Sequence, residues 1–569
     1  MTSGPARPHG SQAREGVRVT PRGVPPDIGL FVAMMALLIP LRILHTSHIR
    51  WMSIDGGYYT EVARHVRDGL GLTTNVSLYH MGYESFPHPT CVYPLWPWIL
   101  GMGARVVDLP TLAHWLPMCF SFTAVIGAFL FGRRLWPEPM FPVNLPGFHA
   151  GHLFALMLAV HSEFITFTSI PYTEGLAWTL TFLFLWRLVG KGASLDLRWA
   201  VEAGLWLGVV YFVRAQLIVI ALCCAAAWLL RLLVGPDRGR VALHGAVTFG
   251  VTSLLLGGWW MHIRTFVHDA GLLSLLRFDQ NRANDLLEPI DVMVNSETLV
   301  DLVVDRLSSL TIAWDIQSSS SYQEVIYTLH WALPAALPLL AASALGFARR
   351  GGVRGVLDRL RRPTSVPWIS LLVFAVGAFL SVHLVHKHYN GEFYFARRQG
   401  MLSLPLFMLC LGWLLRQGRP LPTVVGVLIL ASSAVLGTHE IISQATKESG
   451  ELRGADAQEE LVTWLRAREE AEEGLVVAID ADLAQRVAWR TEGIGYHWIE
   501  QQTSYADLRT ITDRLGARYL VIGKGGVKDW RLYSEAAGRL DTEFVRVADE
   551  PDGNIIWARR TGVSSPATP

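Results

Sequence analysis

Asp55 is the residue of this chain whose type and position most directly suggest chemistry. It lies a few residues after the first long apolar run and is followed by Gly56 and Gly57. A carboxylate at a membrane–water boundary can take a proton from an attacking hydroxyl group, and the two glycines leave space for a substrate to approach it. An Asp near the start of a helix is also a common N-cap, so catalysis and capping are both open at this position.

Glu174 is a second acidic residue predicted on the same side of the membrane. It follows Thr173 at a hairpin between two apolar runs. Acidic groups at membrane depth are costly and usually face a cavity or a partner, which suggests a group that orients a substrate. The alternative is a carboxylate at a helix N-terminus, where the helix dipole stabilises it.

Basic residues gather on the same predicted side, against the usual distribution of positive charge in membrane proteins. Binding of a phosphate group would explain them, because Arg offers two parallel N–H donors to phosphate oxygens. The alternative for each residue is snorkelling of a long side chain to lipid head groups. The residues are Arg214, Arg264, His386, Lys387, His388, Arg397 and Arg398.

The tract at residues 87–98 is rich in proline and aromatic residues and is predicted to form an elbow at the membrane interface. His88 and His80 could line a site there, but no carboxylate accompanies them at metal-ligand spacing. The five cysteines also lack such a spacing. The sequence therefore predicts no metal site, and it leaves a divalent metal open as a cofactor.

The composition predicts an α-helical polytopic membrane protein. Hydrophobic residues make up 51% and charged residues 17% of the 569 residues, and mean hydropathy is +0.31, which is too apolar for a soluble protein of this length. The net charge of +1 gives no reason to expect a nucleic-acid partner. Apolar runs of sufficient length predict about eleven transmembrane helices. They are residues 28–46, 112–132, 148–169, 173–190, 199–213, 216–233, 242–261, 330–348, 366–385, 401–415 and 421–438.

The distribution of Lys and Arg sets the predicted orientation. Loops rich in these residues, such as 349–362 with six arginines, follow alternate spans and belong in the cytoplasm by the positive-inside rule. This predicts a cytoplasmic tail (1–27), a membrane domain (28–439) with large outer loops at 47–111 and 264–328, and an extracytoplasmic domain (440–569). In the first outer loop, residues 58–70 have the pattern of an amphipathic helix lying in the interface plane.

The last domain is predicted to be a small α/β fold, because helical and strand patterns alternate along it. The predicted helices are 456–470, 481–490 and 505–515. The predicted strands are 475–480, 518–522, 543–547 and 554–558.

Taken in order, these motifs resemble the GT-C superfamily of integral-membrane glycosyltransferases. The resemblance is closest to the branch of protein O-mannosyltransferases, aminoarabinose transferases and RgtA-to-D-like sugar transferases, and it covers most of the membrane region. Many relatives have a second acidic residue where Gly56 stands here, which argues against a metal-binding acidic pair. The matching pieces are Asp55, Tyr59, Ala63 and Arg64, the tract 93–97, Thr173-Glu174, and the segments 259–264 and 398–406.

The resemblance implies transfer of a hexosyl or pentosyl group from a polyprenyl-phosphate donor to a lipid, glycan or protein acceptor at the outer face of the cell membrane. Asp55 would be the catalytic base of a single displacement with inversion, unlike hydrolases that use two carboxylates. A phosphate leaving group needs positive charge more than an acid. The phosphate-binding candidates are Arg264, Lys387, Arg397 and Arg398, and the other substrate-binding candidates are Tyr59, His88 and Glu174.

A transporter or flippase for lipid-linked saccharides is the alternative function. It would predict repeated halves and broken spans with charges at the membrane midplane, whereas the acidic residues here cluster towards one face. A third interpretation is a non-catalytic assembly or sensor protein that uses the outer domain.

Overall fold

The computed structural model describes residues 26–48, 54–78, 86–90, 93–138, 140, 148–214, 217–234, 237–264, 404–416, scattered positions in 420–442, and then 450–499, 503–523, 530–535, 540–549 and 554–560. The predicted spans 330–348 and 366–385 lie outside the described residues. So does the predicted outer loop 264–328, apart from Arg264.

Apolar helices dominate the described chain up to residue 416. Three segments, Asp27–Ser47, Leu109–Leu135 and Arg238–Arg264, are long and apolar enough to cross a membrane, as expected of a membrane protein. The helices are α1 (Pro26–His48), α2 (Ile54–Arg67), α3 (Leu95–Gly103), α4 (Leu109–Leu135), α5 (Ala150–Val160), α6 (Ser162–Phe167), α7 (Glu174–Lys191), α8 (Leu197–Val213), α9 (Ile218–Val234), α10 (Arg238–Arg264) and α11 (Leu404–Arg416).

Most of the predicted spans within the described ranges coincide with one helix each, but the span 148–169 does not. It is divided into α5 and α6 at His161, whose backbone is extended (φ −73°, ψ 117°). The His161 ring accepts a hydrogen bond from the Phe164 N–H at 3.3 Å and so caps α6. Residues 161–163 are polar, but the apolar residues on both sides led to the prediction of one span.

The membrane helices alternate in direction, so their ends form two faces. At one face, Asp27 near the start of α1 pairs with Arg133 near the end of α4, with 2.8 Å between carboxylate and guanidinium. The starts of α2 and α7 and the end of α8 lie at the opposite face, which we call the Asp55 face. The basic last turns of α4, α7 and α9 lie away from it, whereas α10 ends in His262 and Arg264.

Helices α8 and α10 pack closely through a glycine. A Cβ at Gly204 would lie 2.5 Å from the Thr248 carbonyl oxygen and 2.8 Å from the Val251 Cβ. The Thr248 hydroxyl donates to the Ala200 carbonyl at 3.1 Å. Small residues that let backbones approach, together with hydroxyl bonds across the contact, are a common means of packing helices in membranes.

The C-terminal region is an α/β domain, as the sequence predicted. Its sheet has six strands in the order β2-β5-β4-β6-β8-β7. Strand β5 was not predicted, and the predicted helix 481–490 is shorter because its end is a 3-10 turn at Ala488–Arg490. The elements are α12 (Gly450–Glu469), β4 (Val476–Asp480), α13 (Ala481–Val487), β5 (Gly495–Ile499), α14 (Tyr505–Asp513), β6 (Tyr519–Ile522), α15 (Arg531–Glu535), α16 (Leu540–Glu543), β7 (Phe544–Asp549) and β8 (Ile555–Arg559).

One edge strand of this sheet comes from the first predicted outer loop. That loop contains β1 (Thr73–Thr74), β2 (Val76–Leu78) and β3 (His88–Pro89), and β2 pairs with β5 in parallel, with Val76 opposite Tyr496. The Tyr496 N–H donates to the Asn75 carbonyl at 2.8 Å. The sheet is therefore built from two parts of the chain that the sequence analysis treated as separate domains.

Helix α2 is buried on its polar side, contrary to the predicted interfacial helix. Glu61, Arg64 and His65 are 0%, 5% and 2% exposed. The helix also begins and ends earlier than the predicted range 58–70: it spans Ile54–Arg67, and a glycine in the left-handed region follows at Gly69 (φ +83°). The difference arises because the C-terminal domain covers the face that was expected to meet water.

We expect Gly204→Leu to lower the thermal stability of the detergent-solubilised protein, because the added side chain forces α8 and α10 apart; overpacking typically costs about 1–3 kcal/mol. Gly250→Leu is the matched control on α10, since a Cβ at Gly250 meets nothing within 4 Å. Thermal unfolding of the two variants beside the wild type measures the effect. Equal unfolding midpoints for both variants would contradict the close α8–α10 contact.

Candidate active site at the Asp55 helix

Asp55 lies in the first turn of α2 and is half-buried. A carboxylate in the first turn of a helix is stabilised as an anion by the helix dipole. The group is therefore held at the Asp55 face by a helix that is itself fixed on several sides. A carboxylate held in a fixed position can accept a proton from an attacking hydroxyl group.

The space beside Gly57 is filled by protein. A Cβ at Gly57 would lie 2.0 Å from the Gln485 carbonyl oxygen, on α13 of the C-terminal domain. This glycine thus permits close approach of another helix, and the prediction that it leaves room for a substrate is wrong. The sequence could not distinguish these two reasons for a glycine next to Asp55.

Tyr59 and Tyr58 both serve to pack α2. Tyr59, a predicted substrate-binding residue, is only 9% exposed and belongs to the core shared with the membrane helices. The Tyr58 hydroxyl lies 2.9 Å from the Thr90 hydroxyl, which ties α2 to the segment that follows β3.

Glu61 is a fully buried carboxyl group on α2. It accepts hydrogen bonds from the Thr74 hydroxyl and from the Asn75 N–H, each at 2.5 Å. Burial raises the pKa of Glu61 to about 7, although these two hydrogen bonds and the Arg64 charge act in the opposite direction. Glu61 therefore changes charge near neutral pH, at the point where α2 meets the strand β2.

His65 lies one turn further along α2 and is neutral over the same pH range. Burial lowers the pKa of His65 to about 4, with a further contribution from the Arg64 charge. One ring nitrogen, Nδ1, is 2.9 Å from the Thr73 hydroxyl, and the other, Nε2, is 3.8 Å from Glu61. His65 thus contributes to the same buried polar group without adding charge.

Glu174 is fully buried at the start of α7 and forms an ion pair with Arg214 at the end of α8. The pair joins two helices at the Asp55 face. A buried pair of this type is strongly destabilised when one partner is lost, because an uncompensated charge then stays in the interior. Arg214 is held by Glu174, which distinguishes it from an arginine that is exposed to solvent.

Helix α3 connects this ion pair with α2. The Trp96 indole N–H donates to the Pro171 carbonyl at 3.2 Å, three residues before Glu174. On its other side, α3 packs directly on α2, since a Cβ at Gly101 would lie 2.5 Å from the Ala63 carbonyl oxygen. Helix α3, which begins in the proline-rich tract, therefore lies between Glu174 and the helix that carries Asp55.

His88 lies at the C-terminal sheet. It is 6% exposed, and its ring nitrogens Nδ1 and Nε2 are 2.9 Å and 3.2 Å from the carbonyl oxygens of Pro89 and Val76. Burial lowers the pKa of His88. These contacts favour the structural alternative over the predicted role in substrate binding.

Arg264 is exposed at the end of α10, at the Asp55 face, and its guanidinium lies 5.0 Å from the centre of the Trp260 ring. The other predicted phosphate-binding residues, Lys387, Arg397 and Arg398, lie outside the described residues. Among the residues that the structure describes, no three His, Cys, Asp or Glu side chains converge to hold a metal ion.

Two buried polar contacts were not predicted from the sequence. Arg42, within α1, is buried and donates to the hydroxyl groups of Ser121 and Thr168 at 3.3 Å and 2.6 Å; a charge inside an apolar run was the available signal. The pairing of Glu174 with Arg214 had no such signal, because the two residues are 40 positions apart on different helices.

We expect Glu174→Gln to destabilise the protein by about 3–5 kcal/mol, because it leaves the Arg214 charge buried without a counterion. Glu202→Gln is the matched control. Glu202 pairs with Arg187 on the same two helices, but these side chains are 34% and 28% exposed, so its loss costs about 1 kcal/mol or less. Thermal unfolding in detergent measures both, and a larger loss for Glu202→Gln would contradict the buried pair.

We expect the stability of the wild type relative to Glu61→Gln to fall as pH rises from about 4.5 to about 7. The pKa of Glu61 is 4.5 when unfolded and about 7 when folded, so the folded state holds an extra proton that is lost as pH passes through 7. A shift of this size corresponds to about 3 kcal/mol. Glu61→Gln removes the titrating group; its amide oxygen can accept from the Asn75 N–H, and its amide N–H can donate to the Thr74 hydroxyl. Unfolding midpoints of both proteins across the pH range give the difference, which separates Glu61 from buried histidines such as His65. An unchanged pH profile in the variant would refute the assignment.

Two of the solved structures that are similar to this chain are crystal structures of ArnT from Cupriavidus metallidurans. No family model and no curated protein matches the chain. The crystal structure of ArnT from Cupriavidus metallidurans bound to undecaprenyl phosphate is 14% identical, covers 95% of this chain and 99% of the ArnT chain, and has a TM-score of 0.44. Its apo state is also 14% identical, covers 95% and 100%, and has a TM-score of 0.42.

Proposed function

We propose that the protein is a membrane glycosyltransferase of the GT-C type, which transfers a sugar from a polyprenyl-phosphate donor to an acceptor hydroxyl group. The observation that carries the proposal is the half-buried Asp55 carboxylate in the first turn of a fixed helix at one face of a membrane-helix bundle. The ordered series of GT-C-like motifs from Asp55 to residue 406 supports it. The proposed site lies at the outer face of the cell membrane.

Asp55 is the proposed catalytic base. The acceptor hydroxyl attacks the anomeric carbon, the carbon–oxygen bond to the lipid phosphate breaks, and the hydroxyl proton passes to the Asp55 carboxylate. The polyprenyl phosphate leaves as an anion, so the reaction needs no general acid. One carboxylate on the attacking side gives a single displacement with inversion at the anomeric carbon.

Positive charge stabilises the phosphate as it leaves. Arg264 is the described candidate, because its guanidinium is exposed at the Asp55 face beside the Trp260 ring, where a lipid head group can reach it. Lys387, Arg397 and Arg398 are proposed to complete the phosphate site. The Arg214 guanidinium is paired with the Glu174 carboxylate. We propose that this pair shapes the substrate cavity.

A transporter for lipid-linked saccharides is the competing function. It would use charges near the midplane that are exposed to two sides in turn. Asp55, Glu174 and Arg264 instead all lie at helix ends on one face, which favours chemistry at that face. The acceptor is proposed to be a lipid, glycan or protein of the cell envelope.

We expect Asp55→Asn to lower sugar transfer by at least about 100-fold, because general-base catalysis contributes about 10²–10⁴-fold, while folding and binding of undecaprenyl phosphate persist. Mass spectrometry of envelope lipids, glycans and proteins, in cells that express each variant as their only copy, measures transfer. Asp68→Asn is the control: Asp68 follows α2, is exposed and pairs with Arg67. Wild-type transfer by Asp55→Asn would end the assignment of the base, and movement of lipid-linked sugar across liposomes without bond cleavage would favour the transporter.

A further inference from the structure

We propose that the C-terminal domain contributes to sugar transfer by fixing the helix that carries Asp55. Arg64 is the main positioning residue. The inference rests on the proposed function, since it concerns the position of the catalytic base. It assigns a role to a domain for which the sequence predicts only an α/β fold.

The first contact is between α2 and α13. At Gly57, two residues after Asp55, the backbone of α2 approaches the Gln485 carbonyl so closely that even a methyl group would not fit. A contact of this kind restricts both the rotation and the tilt of α2. It lies within the same helical turn as Asp55.

The second contact is made by Arg64. Its guanidinium donates to the carbonyl oxygens of Trp489, at 3.4 Å, and Thr491, which flank the end of the 3-10 turn after α13. Arg64 is 5% exposed, so both hydrogen bonds are made away from water. A buried guanidinium needs such acceptors, and a movement of α2 away from the turn would leave the charge unsatisfied.

The third contact fixes the segment after α2. Glu61 holds the Asn75 N–H, and the Asn75 side chain donates to the Glu492 carbonyl at 3.0 Å. Because Asn75 immediately precedes β2, the helix, the strand and the β5 edge of the sheet are joined. Helix α2 is therefore held by the C-terminal domain both along its length and beyond its end.

These contacts act on Asp55 through a rigid helix. Nine residues separate Asp55 from Arg64, which is about 14 Å of helix, so a tilt of about 4° at Arg64 moves the carboxylate by about 1 Å. A displacement of about 1 Å in a catalytic group can lower a rate by about 100-fold. The position of Arg64 thus controls the position of the base without any contact with the substrate.

The test compares Arg64→Met, Arg64→Lys and Arg466→Met in the full-length protein. Arg64→Met removes the donors but keeps much of the side-chain volume, and Arg64→Lys restores a cation that can reach one carbonyl. Arg466→Met is the matched control, because Arg466 donates at 2.9 Å to the Arg490 carbonyl of the same turn from within the C-terminal domain. Two quantities are measured: sugar transfer, and hydrogen exchange of the backbone amides in residues 54–67.

We expect Arg64→Met to lower transfer by about 100-fold and to speed amide exchange of α2, while the amides of the C-terminal sheet keep wild-type exchange. Arg64→Lys should recover part of both, and Arg466→Met should leave both unchanged. Faster exchange of α2 with wild-type transfer would overturn the positioning role. Unchanged exchange of α2 would overturn the contact itself. If Asp55→Asn also keeps wild-type transfer, the proposed function fails, and the exchange data still report separately on the contact.

Discussion

The Arg64 guanidinium bonds to backbone carbonyls 425 and 427 residues later in the chain, and the arrangement around α2 depends on this contact. A charge of this kind is costly to remove from water unless hydrogen bonds replace those that it loses. The acceptors are main-chain atoms of the turn that leads into β5, so they cannot swing away as side chains can. The membrane-anchored helix and the C-terminal sheet therefore constrain each other directly.

The Glu174–Arg214 pair imposes a comparable constraint nearer to the membrane. It joins the start of α7 to the end of α8 and is almost completely removed from solvent, unlike the half-exposed Arg187–Glu202 pair at the other end of the same helices. Low dielectric strengthens the attraction of a buried pair but also increases the cost of desolvation. The net gain in stability is consequently small. The pair instead fixes the relative position of its two charged side chains, beside α3.

The sequence predicts individual helices well and long-range contacts poorly. Apolar runs place α1, α4 and α7 within a few residues, because a span is defined by its own composition. The burial of Arg64 was not predictable, since its acceptors lie more than 400 residues away, as the Arg64–Thr491 separation of 427 shows. A local amphipathic pattern gives the polarity of a helix face. It does not reveal whether water or another domain lies against that face.

Some residues of the candidate site could be predicted from the sequence, and others could not. Asp55 and Glu174 stand out because acidic residues near membrane spans are rare and costly. Gly57 was noticed but misinterpreted, because the same lack of a side chain permits the approach of either a substrate or a helix. Strand β2 was missed because three residues are too few to show a strand pattern, and only pairing with β5 makes the segment a strand.

The position of β2 also bears on how the protein assembles. Without β2, the strand β5 would be an exposed sheet edge with unpaired N–H and C=O groups, which invites non-native pairing. Capping this edge requires the segment after α2, so the complete sheet forms only when the C-terminal domain meets the membrane region. The β2–β5 pairing joins Val76 to Tyr496, so closing the edge of the sheet also closes a long loop of the chain. Because Glu61 of α2 is tied to the segment before β2 and Arg64 of α2 to the turn before β5, the edge of the sheet and the helix that carries Asp55 depend on each other for their final arrangement.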